Sequence, residues 1–123
     1  MRIHFRGATI LLAPLVAATL AACGGDSPTA PVNQTPVAAA TVQATPSETF
    51  TPNRVTLSVG GTITFAFGSL AHDVFFDNGP AGAPANITEP SANKSTTLTF
   101  STAGTYVYNC HIHPGMRGTV VVE

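Results

Sequence analysis

The sequence predicts an all-β domain, an antiparallel β-sandwich of about seven short strands. Apolar residues alternate with polar residues in short runs that are rich in Val, Thr and Phe, which is the pattern of strands with one buried face. The 11 glycines and 10 prolines place turn signals between these runs. No segment has the pattern of a long amphipathic helix, and 123 residues are enough for one compact domain.

The first half of the predicted domain contains three recognisable strand segments. The alternating runs Val55–Val59 and Ile63–Phe67 flank Gly60-Gly61, and this arrangement predicts a β-hairpin. A shorter apolar run, Val74–Phe76, predicts a third strand. Residues 77–93 hold most of the remaining Gly, Pro and Asn, so we expect a long irregular connection there.

The second half of the domain repeats the alternation. Ser95–Phe100 and Gly118–Val122 each predict one strand, and between them Tyr106, Tyr108 and Cys110 share one face of another strand. We place the folded domain at residues 39–123. This length is small for a core without disulfides, so a bound metal ion would add useful stability.

The N-terminus has the features of an export signal. Arg2 and Arg6 precede an uncharged, mostly apolar run from Ala8 to Ala22, which is too short for a dedicated membrane span. Leu20-Ala21-Ala22-Cys23 resembles the bacterial lipobox, in which the cysteine is lipidated and becomes the mature N-terminus. We therefore predict a lipoprotein signal peptide at residues 1–22 and a lipid on Cys23. The alternative is an ordinary signal peptide in which Cys23 is incidental.

Residues 23–38 are predicted to be the lipidated cysteine and a disordered linker rich in Pro, Thr and Ala, a composition that continues to about Ala40. The linker would hold the domain clear of a membrane to which the lipid anchors it. We therefore expect a periplasmic or otherwise extracytoplasmic, lipid-anchored protein, acting as a monomer. Charged residues make up only 9% of the chain and its net charge is −1, which argues against a nucleic-acid partner.

Cysteine usage points to a metal. The chain has two cysteines, Cys23 and Cys110, and lipidation of the first would leave the second without a disulfide partner. A lone thiol is vulnerable in an oxidising compartment unless something occupies it. A bound metal ion would protect the Cys110 thiol.

The predicted metal ligands are His72, Cys110, His113 and Met116. Two imidazoles, one thiolate and a weak axial thioether form the ligand set of a blue copper site. Sulfur ligands favour Cu(I) and imidazoles also suit Cu(II), so such a site moves little when an electron arrives. Zinc prefers four strong ligands, and a methionine sulfur is a poor fourth. We predict one copper ion per chain.

Strand geometry distinguishes among the histidines. Cys110 ends a strand with its side chain directed inward, so the next residue, His111, should leave from the opposite face. His113 and Met116 follow at intervals of three residues, in a loop shortened by Pro114 and Gly115, and can turn back towards the same ion.

The motif Cys110-x-x-His113-x-x-Met116, with His72 opening an upstream strand, resembles the cupredoxin family of plastocyanin, azurin, pseudoazurin and amicyanin, and its short loop is most similar to that of amicyanin. The resemblance implies an eight-stranded Greek-key sandwich with copper near one end. It also implies that the ring edge of His113 lies near the surface as an electron port. Redox proteins would dock there, on an apolar patch formed by Leu70, Pro80, Pro114 and Gly115.

Two residues depart from the family pattern. Asp73 stands where the family commonly has Asn, whose side chain helps to tie the two ligand loops together. An ionised Asp can accept hydrogen bonds there but cannot donate one. His111 is an additional imidazole beside the thiolate, and it is either a surface histidine or part of a second, weaker copper or proton-linked site.

The predicted function is single-electron transfer between redox partners. The alternative is copper storage, delivery or resistance, although proteins of that kind usually carry several exposed Met or His residues and this chain has only two methionines. A copper-free sandwich used for adhesion would not need all four ligands. An enzyme is not expected, because four protein ligands leave little room for a substrate.

Overall fold

The computed structural model describes residues 34–123, and in this range every regular element is a β-strand. No helix in the described range is long and apolar enough to cross a membrane. The predicted signal peptide, Cys23 and the linker up to residue 33 lie outside the described residues. The eight strands are β1 (Val37–Ala44), β2 (Phe50–Thr51), β3 (Arg54–Phe67), β4 (His72–Asn78), β5 (Ile87–Ser91), β6 (Lys94–Phe100), β7 (Gly104–Asn109) and β8 (Arg117–Val122).

The strands form two layers that share the long strand β3. Its first part, Arg54–Leu57, pairs with β8, which continues through β7 and β4 to β5. Its second part, Gly61–Phe67, pairs with β6 on one side and β1 on the other. The pairings β1–β3 and β3–β8 are parallel, so the sheet is mixed rather than purely antiparallel. The all-β prediction is confirmed.

The predicted hairpin at Gly60-Gly61 is wrong. Both alternating runs belong to the single strand β3, and the glycines form a bulge where that strand passes from one layer to the other. The register with β1 shifts at this point, and Gly60 has φ +84°, a conformation that favours glycine. A Cβ on Gly61 would lie 2.8 Å from the carbonyl oxygen of Ser58. The glycines therefore bend the strand instead of reversing it.

The irregular connection predicted for residues 77–93 is shorter than expected. Strand β4 continues to Asn78, and β5 occupies Ile87–Ser91. Strand β5 was not recognised from the sequence because Pro90 lies within it. A proline is tolerated there because β5 is an edge strand that pairs with β4 alone.

The core confirms the predicted inward alternation. Tyr106, Tyr108 and Cys110 are all buried, whereas Val107 between them is exposed. The ring of Tyr108 packs edge-on against Phe50 at 4.9 Å and Phe65 at 5.2 Å between centroids. These aromatic contacts join the two layers directly beneath the strand end that carries Cys110.

Gly118 on β8 leaves the space that the Tyr108 ring needs. The two residues are paired across β7 and β8, and a Cβ on Gly118 would collide with the phenol end of Tyr108. Because the ring is fixed between aromatic neighbours, it has little freedom to move away.

We expect Gly118→Ala to lower the free energy of unfolding by about 1–3 kcal/mol, the usual cost of overpacking a core. Gly68→Ala is the matched control, because a Cβ there meets only the Ala44 carbonyl oxygen at an ordinary 3.8 Å. Urea unfolding of the metal-free protein measures both variants. Equal midpoint shifts for the two variants would contradict the role given to the Tyr108 ring.

Candidate metal centre

Three potential ligands converge at one end of the sandwich. His72 is the first residue of β4, Cys110 follows β7, and His113 lies in the loop between β7 and β8. Their donor atoms all lie within 4.8 Å of one another. The Nδ1 atoms of His72 and His113 are 3.0 Å apart, and the Cys110 Sγ lies 3.6 Å from the His113 Nδ1. The pairing of β4 with β7 brings His72 to Cys110 and His113, which lie three residues apart in one loop.

Backbone hydrogen bonds close the loop that runs from Cys110 to Met116. The Cys110 N–H donates to the Met116 carbonyl oxygen at 3.0 Å, and the Met116 N–H donates to the His113 carbonyl oxygen at 3.2 Å. Gly115 takes φ +93° in this turn, a left-handed conformation that suits glycine. Met116 is buried, with 2% of its surface exposed. The seven residues from Cys110 to Met116 therefore form a compact loop with its sulfur residues directed inward.

The arrangement fits a metal ion that prefers soft ligands. Two atoms that each bind a common metal at about 2.0–2.3 Å lie roughly 3–4 Å apart, and the observed separations of 3.0 and 3.6 Å are in that range. The two Nδ1 atoms face each other, as lone pairs that share one ion would. Imidazole nitrogens together with a thiolate suit copper better than the hard ions Mg²⁺ or Ca²⁺.

Burial keeps the His72 imidazole neutral. Its side chain has no exposed surface, and desolvation lowers the pKa of His72 below the ordinary value of 6.5, with the nearby His113 imidazole lowering it further. A neutral imidazole offers a lone pair to a metal, whereas the protonated ring does not. His72 is thus ready to bind without first losing a proton at neutral pH.

His113 is the most exposed of the three residues that converge. It is partly exposed, while His72 and Cys110 are buried. Next to it in the chain, Pro114 and Gly115 are exposed, and Leu70, two residues before His72, is half-buried. The predicted place of Pro80 in a patch around His113 is wrong, because Pro80 packs against Gly104 at the end of β7 opposite to Cys110. The sequence interpretation omitted Ile112, which is 43% exposed beside His113. The sequence feature that could have identified Ile112 was its position between His111 and His113.

Comparison with known proteins identifies the family. A family model described as copper binding proteins of the plastocyanin/azurin family matches residues 37–123. The chain belongs to this copper-binding family. The cupredoxin resemblance and the copper cofactor predicted from the sequence are thereby confirmed.

Individual cupredoxins support this assignment. The chain is 43% identical to amicyanin from Paracoccus denitrificans over 70 residues, which cover 54% of this chain and 53% of amicyanin. It is 34% identical to plastocyanin from Scenedesmus fuscus, over 60% of this chain and 86% of plastocyanin. The structure of a reduced amicyanin mutant superposes with a TM-score of 0.60 at 34% identity, covering 70% of this chain and 83% of the other. The chain spans 53% to 64% of the amicyanins that it matches.

Asp73 ties the two ligand-bearing segments of this cupredoxin together. It is 4% exposed, and its Oδ1 accepts a hydrogen bond from the His111 backbone N–H at 2.7 Å. Asp73 follows the predicted ligand His72, and His111 follows the predicted ligand Cys110. The connection needs only an acceptor atom at position 73. Asp73 can therefore make it, although it lacks the amide donor of the Asn that is common in the family.

His111 leaves the strand on the outer face, as predicted. Its ring stacks on Phe75 with centroids 3.8 Å apart and planes 16° from parallel. Its Nε2 lies 3.8 Å from Asp77 Oδ1, and the side chains of His111 and Asp77 are 51% and 42% exposed. The sequence interpretation missed Phe75 and Asp77, because their proximity to His111 depends on the register between β4 and β7.

The Asp73 connection generates a stability prediction. Asp73→Ala removes the acceptor of the His111 N–H, and an unpaired, partly buried N–H costs about 1–3 kcal/mol. Asp73→Asn is the matched control, because its amide oxygen can still accept the bond. Thermal unfolding of the metal-free protein should show a large loss for the Ala variant and a small one for the Asn variant. Similar losses in both would show that the charge, and not the hydrogen bond, stabilises the loop.

Proposed function

We propose that this chain is a single-electron carrier that binds one copper ion through His72, Cys110, His113 and Met116. The observation that supports it best is the convergence of two imidazoles and a thiolate, with donor atoms within 4.8 Å, on a loop that ends in a buried methionine. Copper bound there would supply a one-electron redox couple. The protein side chains would hold the ion in place.

The protein holds the four proposed ligands in positions that need to change little when the copper ion gains or loses an electron. Backbone hydrogen bonds fix the loop from Cys110 to Met116, and Asp73 fastens its start to β4. The Cys110 thiolate and the Met116 thioether favour the reduced ion, while His72 and His113 also suit the oxidised one. A ligand set that accepts both states without rearrangement lowers the barrier to electron transfer.

His113 is the proposed port for the electron. It is the one partly exposed residue among the four proposed ligands. Leu70, Ile112 and Pro114 carry no charge, so a redox protein could approach the ring closely without stripping water from ionic groups. We propose that redox partners dock on this surface.

Export and lipid anchoring complete the proposal. The basic N-terminus, the apolar run and Leu20-Ala21-Ala22-Cys23 support removal of residues 1–22 and lipidation of Cys23. Residues 23–38 would then link the membrane to the copper domain. The protein would work as a periplasmic or otherwise extracytoplasmic monomer.

Copper storage, delivery or resistance is the second candidate. The exposed His111 beside Asp77 favours it, because a surface imidazole can receive or release a metal ion. The burial of His72, Cys110 and Met116 opposes it, since a delivery protein must release copper readily. An enzymatic role is not proposed, because four protein ligands leave no open position for a substrate.

Replacement of each cysteine in turn tests the ligand assignment. The full chain loaded with one equivalent of Cu(II) should show an intense visible band from thiolate-to-copper charge transfer. Cys110→Ser should abolish that band while far-UV circular dichroism retains the β signal, because the serine hydroxyl is not a soft anionic ligand. Cys23→Ser is the matched control and should leave the band unchanged. An intense band that persists in Cys110→Ser would refute the assignment of Cys110 as a copper ligand.

A further inference from the structure

A second group of metal-binding atoms lies on the outer face of β4 and β7. It consists of His111 and Asp77, supported by Phe75 and Asn109, and we call these four residues the His111 cluster. The cluster takes no part in the copper site, because His111 leaves the chain on the face opposite to Cys110. Its two potential ligand atoms, His111 Nε2 and Asp77 Oδ1, lie 3.8 Å apart.

Both ligand side chains are held in place by neighbours. Phe75 stacks on the His111 ring at 3.8 Å between centroids and fixes its plane. The Asn109 side-chain amide donates a hydrogen bond to Asp77 Oδ2. This bond occupies one carboxylate oxygen and leaves the other, Oδ1, directed to the imidazole. Such supporting contacts orient ligands in protein metal sites and raise their affinity.

The separation of the two atoms is that of an ion pair, and it also leaves room for a shared metal ion. At 3.8 Å, Nε2 and Oδ1 are too far apart for a hydrogen bond. Two atoms bound to one metal at about 2.0–2.2 Å lie roughly 3–4 Å apart. The 3.8 Å separation in the His111 cluster lies within this range and is slightly longer than the 3.0 and 3.6 Å between donor atoms of the proposed copper site. The half-exposed side chains leave the other coordination positions of an ion to water.

The types of ligand narrow the choice of ion. One imidazole and one carboxylate suit borderline divalent ions such as Zn²⁺, whereas Mg²⁺ and Ca²⁺ prefer ligands that are all oxygen. Arg117 is opposite Asn109 in the register of β7 and β8. Within residues 34–123, Asp77 forms its one ion pair with His111 and not with Arg117.

We propose that the His111 cluster binds one divalent transition-metal ion through His111 Nε2 and Asp77 Oδ1. This is a second metal site, separate from the proposed copper centre and one residue away from the Cys110 thiolate. The site would exist whether or not copper at the first site carries electrons.

The test is a Zn(II) titration of the full chain, loaded with Cu(I) and followed residue by residue by NMR. We expect the ring resonances of His111 and Phe75 and the amide of Asp77 to shift and saturate. In Asp77→Asn the half-saturation concentration should rise at least tenfold, and in His111→Ala the Asp77 and Phe75 shifts should disappear. Glu89→Gln is the control, because it removes an equal charge from the neighbouring strand β5, and it should titrate like the unaltered chain.

Three outcomes would overturn the proposal. The first is the absence of any shift at His111. The second is an unchanged response of Asp77 and Phe75 in His111→Ala, which would place the ion elsewhere. The third is a rise of the half-saturation concentration in Glu89→Gln equal to that in Asp77→Asn, which would show that only surface charge attracts the ion. Failure of the copper centre would appear separately, as zinc-induced shifts at His72 and His113.

Discussion

The hydrogen bond between the Cys110 N–H and the Met116 carbonyl oxygen is the interaction on which the metal centre depends. It closes the loop between β7 and β8. Three of the four proposed ligands lie in this seven-residue turn. The fourth, His72, comes from β4, which lies beside β7 in the sheet. Asp73 then joins the two segments through the His111 N–H. The backbone and the Asp73 side chain therefore hold the segments that carry the four proposed ligands.

The core beneath this loop keeps it from shifting. Tyr108, two residues before Cys110, is held edge-on by Phe50 and Phe65, and Gly118 opposite it leaves room for the ring. A movement of the loop would therefore have to disturb aromatic packing that joins both layers. This packing explains how a domain of fewer than 90 residues, stabilised by no disulfide among its described residues, can present a fixed set of ligands.

The sequence predicted the convergence of His72, Cys110 and His113 better than the path of the chain. Cys110, His113 and His72 were identifiable because residue type, local spacing and strand phase all point to them. The bend at Gly60-Gly61 was misread as a hairpin, because two glycines between alternating runs permit either a reversal or a bulge. Strand β5 was missed because Pro90 suggests a loop unless the strand is known to lie at an edge. The parallel pairings and the contact of Phe75 with His111 depend on which strands become neighbours, and local sequence does not specify that.

The most direct measurement is the rate of electron self-exchange between the Cu(I) and Cu(II) forms of the protein, obtained from NMR line broadening in a mixture of the two. A site whose ligands are held by the loop hydrogen bonds, with the His113 ring near the surface, should give rapid exchange with copper retained in both states. Slow exchange, or loss of copper on reduction, would contradict the carrier function and favour storage or delivery.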